Sequence, residues 1–257
     1  FQAVEHTFSL LLEQVKDPSK IIANIDDPGV FNLLSKMKLI DKVTNVSAFG
    51  KKKLANYKLK TASYSHKKNL WLAEVQLGEK KLTIETSLSG LHNMANLTQV
   101  LACLTQIEKD SDFNLKLDWK KILAALRSAV GVKKRFDHLA QINGIDIYED
   151  FAHHPSAVQV MLESLKILAP NRRILLAYEP KNASSRRNIF MKEYAQVLQG
   201  ADLVFLAPCP EDKKIAKENK MDTKVLAQKI GSSAHAYENY SKLLNHLLKL
   251  IRQDDLV

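Results

Sequence analysis

Residues 145–180, IDIYEDFAHHPSAVQVMLESLKILAPNRRILLAYEP, decide the fold. A short run of Ile and Tyr ends in acids and paired histidines. Pro155 then opens a stretch with apolar residues at helical spacing, and RRILLAYEP returns as a second apolar run. This reads as strand, helix, strand. Downstream, RRNIFMKEYAQVLQG (186–200) predicts a helix, ADLVFLAPC (201–209) a strand and TKVLAQKIG (223–231) a helix. A short strand at AHAY (234–237) and a helix over SKLLNHLLKLI (241–251) follow. Such alternation implies right-handed crossovers, a mostly parallel sheet and ligand groups at the carboxyl ends of its strands.

Working back from this module, the chain changes character near Gly131, so the sequence predicts two domains, residues 1–130 and 131–257. Helical spacing from Val4 to Val15 stops at Asp17-Pro18, IIANIDD (21–27) reads as a short buried strand, and a helix passes through FNLLSKM (31–37). VTNVSAFG, NYKLKTASYS, LWLAEVQLG and KKLTIETSL, between residues 43 and 88, are rich in β-branched and aromatic residues and read as strands, the last two as a hairpin. LHNMANLTQVLACLTQIEK (91–109) and DWKKILAALRSA (118–129) are helical in period, the latter opened by Asp118 as N-cap. The fold class is therefore α/β throughout.

Composition narrows the function. With 46% hydrophobic and 26% charged residues and no run near the ~20 apolar residues of a bilayer span, the 257 residues read as globular. The opening FQAVEHTFSLLLEQVKD lacks the layout of a signal peptide, so a cytoplasmic location is expected. Two cysteines, Cys103 and Cys209, give neither a disulfide framework nor a cysteine metal site. The net charge of +10 is spread out: 19 Lys/Arg against 13 Asp/Glu in residues 1–130, and 19 against 15 in 131–257. Lys51-Lys52-Lys53 reads as a solvated turn, and without interleaved aromatics the chain offers no base-stacking platform, so neither a nucleic-acid nor a membrane partner is expected.

Four constellations carry chemistry. In Tyr148-Glu149-Asp150-Phe151-Ala152-His153-His154-Pro155, a strand ends in acids and histidines before a helix, where a carboxylate can meet a ribose and a helix start can meet an anion. Plainer readings stand beside it: the acids cap the helix, the histidines fill the loop, or the two histidines ligate a metal, although no third ligand stands at standard spacing. In Gly90-Leu91-His92-Asn93-Met94-Ala95-Asn96, His92 and Asn96 share a helix face and suit one flat heterocycle; capping is the plainer reading. Arg135, within Gly131-Val132-Lys133-Lys134-Arg135-Phe136-Asp137, either reaches a phosphate from the domain junction or belongs to a basic linker. Tyr178-Glu179-Pro180-Lys181-Asn182 again ends a strand.

In this order the four resemble the Mur ligase family, and Asn24-Ile25-Asp26-Asp27 extends the resemblance over nearly the whole chain. Within that family, Phe-Ala-His-His-Pro and Glu-Pro are similar to the murein peptide ligases of peptidoglycan recycling. The resemblance implies the later part of a central ATP-binding α/β domain followed by a Rossmann-like acceptor domain with a mostly parallel sheet. It implies an ATP- and Mg2+-dependent carbon–nitrogen ligase that phosphorylates the carboxylate of UDP-N-acetylmuramate. An amine, here that of the murein tripeptide L-alanyl-γ-D-glutamyl-meso-diaminopimelate, then displaces the phosphate.

By the same resemblance His92, Asn93 and Asn96 take the adenine, Asp150 the ribose and Arg135 the phosphates, as binding and catalytic group. His153, His154 and Lys181 face the acceptor, and the groups of the two domains converge on one nucleotide. Lys181-Asn182-Ala183-Ser184 departs from the Arg-Ser-Asn-Thr that follows Glu-Pro in murein peptide ligases, and lysine lacks arginine's planar fork; Arg186 or Arg187 is the alternative. None of the eight glycines is followed by Lys-Ser or Lys-Thr, so the family's phosphate loop is absent. Its magnesium ligands and UDP-binding domain are expected upstream, and the isolated chain is expected to be inactive. The competing readings are another Mur-type ligase, such as one adding L-alanine, a folylpolyglutamate synthetase, or a nucleotide-binding module without catalysis.

Overall fold

The computed structural model describes residues 2–49, 54–211 and 214–257; the turn read at Lys51-Lys52-Lys53 lies outside them. The chain divides into two compact units, Phe1–Val130 and Gly131–Val257.

The first unit contains α1 (Gln2–Glu13), β1 (Ile22–Asn24), α2 (Pro28–Lys36), β2 (Thr44–Ser47), β3 (Tyr57–Ser65), β4 (Leu70–Leu77), β5 (Lys80–Thr86), α3 (Leu91–Lys109) and α4 (Trp119–Arg127). The strands form one sheet in the order β1-β2-β3-β4-β5, parallel across β1, β2 and β3 and antiparallel across β3, β4 and β5. The expected hairpin closes between Leu77 and Lys80, with Gly78 at φ 65 supplying the positive φ that a two-residue turn requires. Asp27 accepts the amide of Val30 and Pro28 occupies the first turn, which fixes the start of α2.

Helix α3 buries Met94, Ala95, Leu97, Thr98, Leu101, Ala102 and Thr105, a stripe of period 3.6 that packs on β3 and β4. The hydroxyls of Thr98 and Thr105 are satisfied within the helix by the carbonyls of Met94 and Leu101. As expected, Asp118 caps α4 by accepting the Lys121 amide. Helix α4 lies against β5, tied by the Thr86 hydroxyl to the carbonyl of Leu126 at 2.7 Å.

The second unit contains β6 (Asp137–Ile142), β7 (Ile145–Glu149), α5 (Pro155–Leu168), β8 (Leu175–Tyr178), α6 (Met191–Leu198), β9 (Leu203–Leu206), α7 (Thr223–Ile230), β10 (Ala234–Ala236) and α8 (Tyr240–Leu250). Strands β8, β9 and β10 pair in parallel. Side chains alternate across this sheet as the period of 2 demands. Ile174, Tyr178, Val204 and Leu206 face the core shared with α5, α6 and α7, while Leu175 and Phe205 face α8 through Leu243 and Leu247. Burying a side chain the size of Phe205 stabilises this layer by about 2–3 kcal/mol.

Two departures from the sequence reading matter. Strand β7 pairs antiparallel with β6, which the sequence reading omits, and among the described residues it reaches the parallel sheet through residues 255–257. These residues run parallel to both β7 and β8: the Tyr148 amide donates to the Val257 carbonyl at 2.7 Å, and the Leu175 amide to the Leu256 carbonyl at 2.8 Å. The ribbon is strapped down by two arginines. Arg172 donates to the carbonyls of Gly144, Asp254 and Asp255 and to the Asp146 carboxylate, and Arg173 grips Asp255 in bidentate fashion at 2.7 and 2.9 Å.

The second departure is that the helix expected from Arg186 begins only at Met191, after a 3-10 turn over Asn188–Phe190. The backbone of 182–187 is committed elsewhere, since the Asn182 amide donates to the Ser185 hydroxyl and the Arg186 amide to the Asn182 carbonyl, both at 2.9 Å.

Candidate functional site

In the first unit the site residues stand at the start of α3. Gly90, at φ 93, precedes the helix without a side-chain cap, so the first turn is reached through a backbone that L side chains avoid. His92 and Asn93 are half-buried and Asn96 is exposed. The Asn93 side-chain amide donates to the Ser89 carbonyl at 2.7 Å, which leaves its oxygen as an acceptor. An acceptor oxygen on the same turn as an exposed amide suits the donor–acceptor edge of adenine.

In the second unit the loop before β6 carries Arg135 between two residues in the left-handed region, Lys134 at φ 60 and Phe136 at φ 53. Three hydrogen bonds hold this shape. The Lys134 amide donates to the Asp137 carboxylate at 3.1 Å, the Phe151 amide to the Lys134 carbonyl at 2.8 Å, and the Phe136 amide to Asp150 Oδ2 at 2.7 Å. The exposed Arg135 guanidinium lies over the Phe151 ring, 5.6 Å from its centroid. Asp150 Oδ1 also accepts the Ala152 amide at 2.6 Å. Both oxygens of the carboxylate assigned to a ribose are therefore engaged by backbone.

At the carboxyl ends of β7 and β8 lies a cleft of about 350 Å³ whose walls include Lys134, Glu149, Asp150, His153, Glu179 and Lys181. Three carboxylates and two lysines facing one space suit a ligand that carries both an amine and a carboxylate. Asp150, His153 and Lys181 are thus brought together, while His154 is absent from the walls.

The two histidines differ in tautomer. His153 Nδ1 meets the Phe151 carbonyl at 3.0 Å; a carbonyl only accepts, so Nδ1 carries the proton and Nε2 of the neutral ring is a free lone pair. His154 Nδ1 accepts the Ser156 amide as the N-cap of α5, so its lone pair is spent on the helix and Nε2 carries the proton. Its ring rests edge-on against Phe190.

The sequence reading missed two tyrosines that hold residues of this cleft. The buried Tyr194 hydroxyl donates to the His153 carbonyl, and Tyr240, at the start of α8, donates to Glu179 Oε1 at 2.8 Å. No local motif marks either residue. Burial also pushes Tyr178, at the end of β8, far above the usual tyrosine range, so it stays protonated. Among the described residues, no group of three His, Cys, Asp or Glu stands together as a metal site. No helix among them is long and apolar enough to cross a membrane.

Comparisons with known proteins agree with this architecture. The Mur ligase middle domain matches residues 1–104, and the Mur ligase glutamate ligase domain matches residues 134–257. The chain is 25% identical over 263 residues to the UDP-N-acetylmuramate–L-alanine ligase of Lachnospira eligens, covering 99% of this chain and 53% of that one. In fold it is similar to the MurF ligase of Thermotoga maritima in complex with ADP, with a TM-score of 0.69 and 17% identity over 100% of this chain and 53% of that one. It is also similar to a murein peptide ligase of Psychrobacter arcticus, with a TM-score of 0.57 and 20% identity over 99% and 50%. The chain therefore spans about half the length of these relatives. Middle domain followed by glutamate ligase domain, in the order of the two compact units, places this chain in the Mur ligase family.

Proposed function

We propose that this chain supplies the later half of an ATP-dependent amide ligase that joins an amine to the carboxylate of UDP-N-acetylmuramate. The observation that carries the reading is the cleft of mixed charge at the ends of β7 and β8, beside a histidine with a free Nε2. An incoming amino acid places its ammonium among Glu149, Asp150 and Glu179 and its carboxylate toward Lys134 and Lys181. His153 Nε2 takes the proton that the amine must lose before it attacks. ATP, when bound, supplies the phosphoryl group that activates the carboxylate of UDP-N-acetylmuramate as an acyl phosphate; His92, Asn93 and Asn96 hold the adenine and Arg135 neutralises phosphate charge. Asp150 contributes chiefly by holding the loop of Arg135.

The acceptor is L-alanine in our reading, because the relative aligned along this whole chain bears that name and the cleft is small. A second reading keeps the murein tripeptide, favoured by Phe151-Ala152-His153-His154-Pro155 and Glu179-Pro180. Calorimetric titration of the chain with L-alanine and with the tripeptide separates them: tighter binding of alanine supports the first, tighter binding of tripeptide the second, and no heat from either removes the acceptor site. Phosphate release from ATP with UDP-N-acetylmuramate and either amine is expected to stay at background for these 257 residues, which contain no Gly-x-x-x-x-Gly-Lys-Ser/Thr.

A further inference from the structure

A second cleft, of about 580 Å³, lies within the first unit at the other end of α3. Its walls are the amino ends of β2 and β3, the β4–β5 turn and the last turn of α3, with Thr44, Asn45, Tyr57, Glu79, Gln106 and Lys109 among the lining residues. Gln106 is fourteen residues from His92, about 21 Å along the helix at 1.5 Å per residue. This space is thus separate from the nucleotide-facing end of α3.

The polar groups here are built into the fold. Gln106 Nε2 donates to Thr44 Oγ1 at 2.7 Å and to the Tyr57 hydroxyl at 3.3 Å, and Lys109 Nζ donates to the same hydroxyl at 3.3 Å. Tyr57 is 4% exposed. Its oxygen already receives two donors, and among the described residues no acceptor meets its own proton. Among the described residues Lys109 forms no ion pair, and beyond its bond to Tyr57 it keeps two further N–H bonds. The Asn45 amide nitrogen donates to the Ile40 carbonyl at 2.7 Å. Asp41 and Glu79 complete the walls and form no ion pair among the described residues.

We propose that this cleft is a binding site for a small zwitterion, a free α-amino acid. Its carboxylate accepts the Tyr57 O–H and the Lys109 ammonium, and its ammonium lies toward the carboxylates of Asp41 and Glu79. The opposed charges of the walls exclude a simple anion or a simple cation as the preferred ligand. The site stands independently of the function proposed above, which lies in other residues.

The test is a residue-resolved NMR titration of the 257-residue chain with glycine, and with acetate and methylammonium as single-charge controls. Glycine is expected to shift the amides of Thr44, Asn45, Tyr57, Gly78 and Gln106 with a single affinity, and neither control to match it. Lys109→Met and Tyr57→Phe are each expected to weaken that affinity about fivefold. Lys109 is exposed, so its variant keeps the test valid should Tyr57→Phe disturb the fold. Absence of shifts at these amides, equal shifts with acetate alone, or an unchanged affinity in Lys109→Met would each overturn the proposal. Shifts confined to residues 148–154 would report the other cleft and overturn it as well.

Discussion

The carboxylate of Asp150 accepts the backbone amide of Phe136 at 2.7 Å, across fourteen residues of sequence, and that bond closes the left-handed loop on which Arg135 stands. A residue that motif reading gives to a ribose is, in the fold, a clasp. Replacing Asp150 by Ala removes two charge-assisted acceptors and is expected to lower the stability of the second unit by about 2 kcal/mol, with Asn retaining part of it. Hydrogen exchange reads this directly: the Phe136 and Ala152 amides should exchange faster in Asp150→Ala, and unchanged protection would remove the clasp.

Acid should act on the straps of the terminal ribbon. Burial works to raise the pKa of Asp146, but hydrogen bonds from Arg172, His138 and Gln141 outweigh it and hold the carboxyl below its usual value. For Asp255, burial is likewise outweighed by Arg173 and the Arg252 amide. A carboxyl depressed in the folded state adds stability that is complete above its unfolded pKa, near 4, and is lost as pH falls through the folded value. The part of the urea midpoint that these two carboxyls supply should hold steady from neutral pH to about 5 and drop below about 4. Asp146→Asn should flatten that drop, and Arg172→Met, which leaves the carboxylate buried and unpaired, should cost roughly 3 kcal/mol at neutral pH.

His235, behind β9, responds at milder pH. His235 and His246 lie with ring centroids 5.0 Å apart beside Phe205, and Tyr237 is hydrogen-bonded to His246 Nδ1 at 2.6 Å. Burial, then the charge of His246, lowers the pKa of His235. For a base depressed in the folded state, the unfolded chain binds the proton first, so stability is lost as pH falls from about 6.5 toward the folded value. NMR titration of the ring protons should place the His235 midpoint below about 6.5, and His246→Asn should move it upward. An unmoved midpoint would show that His246 is not its electrostatic neighbour.

His153 and His154 should differ in what they lose. His154→Ala removes the cap of α5 and should cost about 1 kcal/mol of stability while leaving L-alanine affinity unchanged. His153→Ala should leave the urea midpoint nearly unchanged and weaken alanine binding. Nitrogen chemical shifts should show protonated Nδ1 in His153 and protonated Nε2 in His154; the same tautomer in both rings would contradict the assignment.

The α/β rhythm was legible in sequence because each helix and inner strand carries its own period, as the stripe of α3 and the alternation of β8 and β9 show. Strand β6 was missed although its signal was present: Asn143 at φ 51 and Gly144 at φ 80 form the Asn-Gly turn that joins hairpin strands. Its side chains are half to fully exposed, so no apolar alternation pointed to it. Residues 255–257 are too few to show a period, and their place is set by Arg172 and Arg173, some eighty residues earlier. The clasp role of Asp150 and the opposite tautomers of His153 and His154 were likewise hidden, because they depend on where backbone amides and carbonyls fall in space.

The central proposal is that the first turn of α3 and the Arg135 loop both take part in nucleotide binding. Titrating the isotopically labelled chain with ADP while following its backbone amides tests it most directly. The account predicts that amides of Gly90–Leu97 and of Lys133–Phe136 shift together along one weak binding curve, and that Arg135→Ala weakens the response at both places. Shifts in only one of these segments, or two curves with unrelated affinities, would contradict it.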